Sequence, residues 1–239
     1  MIRSKTILAG AVALFFTVEI LLGIRFQTGS SYGAQLRFLT VLLACLCCVL
    51  FAERSWTYAT TQLALLMTVC ADLFLVLPSS PNQLPGMLFF SVAQLSYGAR
   101  LYLDESRSAY RIVQLISRGA VSAVALLATV IVLGKSCDAV ALVSVFYYAN
   151  LVLNLIFACT QMADQYVLAV GFILFIFCDT VVGLAFMDPY LPMPEGSFID
   201  RLIHPGFDLA WAFYLPSQML LAVSLLPKCL KRIAVGSPA

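Results

Sequence analysis

Eight long apolar runs, separated by short turns rich in polar residues, Pro or Gly, leave this chain few ways to fold. Their approximate limits are Thr6–Ile24, Phe38–Ala52, Trp56–Leu77, Leu84–Leu103, Leu115–Gly134, Ala139–Met162, Tyr166–Met187 and Phe207–Leu226. An α-helix needs about 20 such residues to cross a bilayer. Backbone polar groups in hydrocarbon must be satisfied within the segment, so each run reads as a helix. The expected fold is an all-α integral membrane protein, a bundle of about eight transmembrane helices forming a single polytopic domain over residues 1–239. Composition agrees, with 11% charged residues against about 25% in soluble domains.

The formal charge of +2, with no run of four basic residues, argues against nucleic acid as a partner. Lys and Arg instead mark sides. If the N-terminus lies inside, Arg3, Lys5, Arg54, Arg100, Arg107, Arg111, Arg118, Lys228, Lys231 and Arg232 share the inner side. Arg25, Arg37, Lys135 and Arg201 fall outside. The positive-inside rule then places both termini in the cytoplasm, and the expected location is the cell (plasma) membrane. Arg118, crowding the start of the fifth run, can snorkel to the interface. The start of the first run resembles a signal peptide, but no small-x-small cleavage site follows, so it reads as a retained span.

Eight cysteines are present, six of them (Cys45, Cys47, Cys48, Cys70, Cys159 and Cys178) inside apolar runs. There they are expected to act as small buried hydrophobes. The spacing Cys45-x-Cys47-Cys48 is wrong for a zinc knuckle, and His204 is the single histidine. No metal or cofactor is expected.

Ionisable residues inside a span cost about 2.5–3.5 kcal/mol on insertion scales and are functional candidates by default. Asp72 lies about one turn from the outer end of the third run, Asp179 about two turns from that of the seventh. Neither has a basic residue within a turn or two, so each needs a partner from another helix or a raised pKa. Glu19 has Arg25 nearby to neutralise it, and Asp208 stands where a helix N-terminus favours an acid.

Tyr147, Asn150 and Asn154 share one face of the sixth run, and Asp208, Trp211, Tyr214 and Gln218 one face of the eighth. Pro216 is expected to kink the helix beside Gln218. Gln94 and Tyr97 share a face of the fourth. The simplest arrangement is a polar pocket, open to the outer side, lined by the third, fourth, sixth, seventh and eighth helices. Polar residues in spans also serve as interhelical glue, at about 0.6 kcal/mol per hydrogen bond, and Asn150, Asn154 and Tyr97 fit that role as well. The Pro-rich loop Asp188–Gly206 either covers the site or merely connects two helices.

These elements together resemble the YhhN-like lysoplasmalogenase family of eight-span membrane proteins. That family shows a small residue then Asp, a hydrophobic run, then Gly, Phe and a His-x-x-Tyr element. Here they read Ala71-Asp72-Leu73-Phe74-Leu75, Gly86, Phe90 and Gln94-x-x-Tyr97. Phe175-Ile176-Phe177-Cys178-Asp179 is similar to its Phe-x-x-Ser-Asp element. Phe213-Tyr214 through Gln218, Leu220 and Ser224 is similar to its final-span motif. This chain has Gln94 in place of the family's His, Ala71 in place of a Gly and Cys178 in place of a Ser. A Gln cannot exchange protons near neutral pH as His can.

The resemblance implies a hydrolase that cleaves the vinyl ether of a lysophospholipid to a fatty aldehyde and a glycerophospho-head group. Two carboxyls suffice for that chemistry. One donates a proton to carbon, and a second, ionised, stabilises the oxocarbenium ion and orients water. Asp72 is assigned as the acid and Asp179 as the stabiliser, with the reverse also open. Gln94, Tyr97, Tyr147, Asn150, Tyr214 and Gln218 are the expected substrate-binding residues. The partners are then a lipid or lysophospholipid substrate and the bilayer, with oligomeric state left open. The alternative is a non-catalytic lipid-binding or transport protein using the same pocket. The two four-span halves place Asp72 then Gln94, and Asp179 then Gln218, on corresponding helices.

Overall fold

A computed structural model describes residues 5–28, 32–50, 55–187, 196–203 and 207–229. All eight apolar runs are helical there: α1 (Lys5–Gln27), α2 (Gly33–Leu50), α3 (Trp56–Leu75), α4 (Gln83–Asp104), α5 (Ser108–Leu133), α6 (Ala139–Thr160), α7 (Met162–Met187) and α9 (Leu209–Val223). A six-residue helix, α8 (Phe198–Ile203), lies within the Pro-rich loop. The rest of that loop, His204 included, lies outside the described residues. Among the described residues six helices are long and apolar enough to cross a membrane, which fits a helical membrane protein.

Three helices start four or more residues earlier than expected, α2 at Gly33 rather than Phe38, α5 at Ser108 rather than Leu115 and α7 at Met162 rather than Tyr166. Arg37 and Arg111 interrupt the hydropathy but not the helix, because arginine is a good helix former. α9 runs unbroken through Pro216. The missing donor there leaves the Ala212 carbonyl without its helical partner. A separate break lies in α7, where Gln165 has non-helical torsions (φ −122°, ψ 17°).

Short turns make successive helices run up and down. "Upper" denotes here the end bearing the α3–α4 turn and the start of α9; "lower" denotes the end bearing the α4–α5 turn. The packing closes a ring in the order α2, α3, α4, α6, α7, α9 and back to α2. The first helix of each half stands outside: α1 packs on α2 and α9, and α5 on α6. α5 accordingly leaves Ile116, Val124, Leu127, Ile131 and Val132 exposed.

The core fills the ring with aromatic and small side chains, Tyr97, Phe172, Phe175, Ala71 and Ala222 among them. Small residues let α7 and α9 cross closely. A Cβ at Gly171 would lie 2.9 Å from Leu221, and the Ser217 hydroxyl donates to the Gly171 carbonyl at 3.0 Å. None of the eight cysteines is in a disulfide, and Cys159, expected to be buried, is exposed on α6.

The lower turn after α4 is tied by charge. Arg107 donates to both Glu105 carboxylate oxygens, at 2.8 and 2.7 Å, and Glu105 is 3% exposed. Those bonds hold the Glu105 carboxyl down at about 2, below its ordinary 4.5. The folded value is the lower one, so the stabilisation is complete above about 4.5 and is lost as pH falls toward 2. Glu105→Gln should therefore melt below wild type at pH 7, with the gap narrowing by pH 3 in detergent thermal scans. A gap unchanged across that range would refute this role.

Candidate functional site

Five helices bring the two intramembrane aspartates into one aromatic box. Asp72 projects from the last turn of α3, is 2% exposed, and accepts a hydrogen bond from the Tyr214 hydroxyl of α9 at 2.8 Å. Asp179 projects from α7, is half-buried, and accepts one from the Tyr147 hydroxyl of α6. Phe175, one turn below Asp179 on α7, stands between the two phenols. Its ring centroid is 5.5 Å from that of Tyr214 and 6.4 Å from that of Tyr147. Phe90 of α4 closes the box against Tyr147 (5.4 Å) and Phe175 (5.9 Å). Each aspartate thus finds a partner on another helix, one of the two outcomes its isolation in sequence allowed. The partner is a neutral phenol rather than a cation.

A second polar layer lies below the box. Asn154 donates from Nδ2 to the Gln94 backbone carbonyl (2.8 Å) and side-chain oxygen (2.9 Å). Asn150 donates to the Ser122 hydroxyl at 3.2 Å. Arg118 of α5 donates to Asn150 Oδ1 at 3.2 Å and to Asn154 Oδ1 at 2.6 Å. The expected snorkelling of Arg118 is therefore wrong. Its head turns into the bundle because the asparagine oxygens and the bare backbone at Gly98 receive it. A Cβ at Gly98 would lie 2.6 Å from Arg118 Cζ. Tyr97 packs edge-on against Phe172 at 5.3 Å, with its hydroxyl unpaired. Gln218 is 1% exposed, and neither amide atom has a partner.

The remaining acids separate from this pair. Asp208 caps α9, accepting from Trp211 N at 3.3 Å, as its position implied. It also forms an ion pair with Arg37, whose guanidinium lies 5.6 Å from the Phe26 and Trp211 rings. Glu19 does not pair with Arg25. It is 0% exposed, and neither oxygen accepts a hydrogen bond.

A third layer, at the lower end, was missed by sequence reasoning. Arg100 is 0% exposed and donates to Ser224 Oγ (2.5 Å), Gln165 Oε1 (2.8 Å), the Ser224 carbonyl (3.2 Å) and Thr61 Oγ1 (3.3 Å). Asp104 accepts from Gln165 (2.6 Å) and Thr57 (3.0 Å) and pairs with Lys228 (2.6 Å). The break at Gln165 turns its amide into this network. The spacing Tyr97, Arg100, Asp104 was the available signal, since it puts all three on one face of α4.

Compared with known proteins, residues 34–225 match the family model described as the YhhN family. No curated protein and no solved structure matches the chain.

Proposed function

Because the chain belongs to the YhhN family, we propose that it is a lysoplasmalogenase-like intramembrane hydrolase. It would cleave the vinyl ether of a lysophospholipid to a fatty aldehyde and a glycerophospho-head group. The observation that carries the reading is the carboxyl pair of α3 and α7, each oriented by a tyrosine, around Phe175 inside an apolar ring. Asp72, the more buried, donates its proton to the outer vinyl carbon. The double-bond electrons form that C–H bond, leaving an oxocarbenium ion on the carbon next to oxygen. Asp179, the less buried of the two, stabilises the cation and takes a proton as water adds. The hemiacetal then collapses. The ionised Asp72 takes the hydroxyl proton, the C–O bond to glycerol breaks as the C=O forms, and Asp179 gives its proton to the departing oxygen, which restores both carboxyls. One water is consumed, and one aldehyde and one alcohol form.

All eight long helices cross the bilayer in this reading, with both termini in the cytoplasm and the protein in the cell membrane. α4 spans despite its polar residues because Ser91, Gln94, Tyr97 and Arg100 face the ring while Leu88, Val92 and Leu95 face outward. A reporter fused after Ala239 should respond from inside, and an external signal would overturn the orientation.

The test of the activity is incubation of the purified protein in detergent with lysoplasmalogen, assayed for free fatty aldehyde. Release of aldehyde is the expected result. Movement of the lipid across proteoliposomes without chemical change would instead favour transport.

A further inference from the structure

Asp208 and Trp211 share a face of α9 with Tyr214, yet the two-carboxyl mechanism uses only Tyr214. The aromatic box draws its side chains from α3, α4, α6, α7 and α9. α1 and α2 act on it from outside, through the start of α9. From α1, Gln27 donates through Nε2 to the Asp208 carbonyl at 2.8 Å and accepts from the Asp208 backbone N–H at 3.1 Å. From α2, Arg37 donates to the Asp208 carboxylate. That carboxylate also caps α9 through the Trp211 N–H. The first turn of α9 is thus tied to two other helices by both its backbone and its side chain.

The tie reaches the site through packed rings. The Arg37 guanidinium carbon lies 5.6 Å from the centroids of both Phe26 and Trp211, and those two rings meet edge to face at 5.6 Å. Trp211 meets Tyr214 edge to face at 4.9 Å, the shortest ring contact among the described residues. Phe175 flanks the same phenol at 5.5 Å. The Tyr214 hydroxyl then donates to Asp72 at 2.8 Å. An unbroken series of contacts therefore runs from Asp208 and Arg37 to the carboxyl assigned as the acid. The Arg37 and Asp208 side chains keep 30% and 27% of their surface exposed. A partly exposed ion pair contributes little to stability by itself, so its place here is better explained by what it orients.

We propose that Arg37, held by Asp208, is a positioning residue: it fixes the Trp211 ring, and through it the Tyr214 phenol that orients Asp72. A planar guanidinium suits both tasks, because it pairs with a carboxylate along its edge and packs on aromatic rings with its face. The phenol oxygen stands at the far end of a long side chain, so a small turn of the ring moves it away from the Asp72 carboxyl. The assignment rests on the hydrolase reading for its kinetic effect; the coupling of Arg37 to the rings does not depend on it.

The test uses the full-length protein in detergent carrying Trp56→Phe, which leaves Trp211 as the single tryptophan. Trp56 is 78% exposed at the lower end of α3, far from the site. Arg37→Met, which keeps bulk but loses the charge, should largely abolish the near-UV circular dichroism of Trp211. Asp208→Asn, which preserves the cap but releases Arg37, should move that signal in the same direction. With lysoplasmalogen, Arg37→Met should lower kcat by about tenfold to a hundredfold while KM stays within about twofold. Arg37→Lys keeps the ion pair without the planar face and should recover part of kcat. In a Tyr214→Phe background, Arg37→Met should cost less than about twofold more, since residues that act through one group are not additive. A Trp211 signal unchanged in both Arg37→Met and Asp208→Asn overturns the proposal, whether or not aldehyde is released. So does a full further loss of kcat in the Tyr214→Phe background, or a raised KM with kcat unchanged, which would make Arg37 a substrate contact. Loss of the Trp211 signal without aldehyde from the wild type would uphold the coupling and remove only the hydrolase reading.

Discussion

Asp72→Asn and Asp179→Asn are each expected to lower aldehyde release about a thousandfold, within the 10²–10⁴ range associated with a positioned acid or base. The prediction isolates chemistry from folding. An asparagine oxygen can still accept the hydrogen bond that Tyr214 gives Asp72, or that Tyr147 gives Asp179. An amide can neither deliver a proton to carbon nor carry the negative charge that faces the oxocarbenium ion. Melting temperatures should therefore stay within a few degrees of wild type while the rate collapses. If both variants kept more than a tenth of the wild-type rate, the two-carboxyl mechanism would be wrong.

Arg100→Met is expected to destabilise the protein by about 3–5 kcal/mol, the range for breaking a buried charged network by removing one partner. The guanidinium satisfies Ser224, Gln165 and Thr61 from three other helices at once. Methionine keeps the bulk but leaves those oxygens buried without donors, a penalty of about 1–3 kcal/mol each before relaxation. Asp104 would retain Lys228 at 2.6 Å, which limits the damage. For a chain of this length, about 2–4 °C accompanies each kcal/mol, so a drop of roughly 10 °C is the expected reading in detergent. Arg100→Lys should fall between the two, since one ammonium cannot span the fork of acceptors. A change below 2 °C for Arg100→Met would show that the network does not hold α3, α4, α7 and α9 together.

The sequence by itself determined the class of fold and the two aspartates. Long apolar runs admit only helices in a bilayer, because hydrocarbon leaves no other way to satisfy the backbone. Asp72 and Asp179 stood out for the same reason: an acid in such a run is expensive unless something receives it. The facing of Tyr147 and Tyr214 was legible from helical spacing, and both supply the expected partner. Helix starts were less legible, since an arginine ends an apolar run without ending a helix, as at Arg37 and Arg111.

Only the tertiary structure decided where the cations go. Arg118 reads as an interfacial residue in sequence because its depth is ambiguous and its partners are distant, Asn154 lying 36 residues away. Arg100 reads as the end of a span, yet its acceptor Ser224 is 124 residues away on the far side of the ring. Glu19 and Arg25 are close in sequence but do not meet. Local spacing fixes which face of a helix a side chain occupies. Which other helix that face meets depends on ring order, and here the ring makes α4 and α6 neighbours and puts α5 outside them.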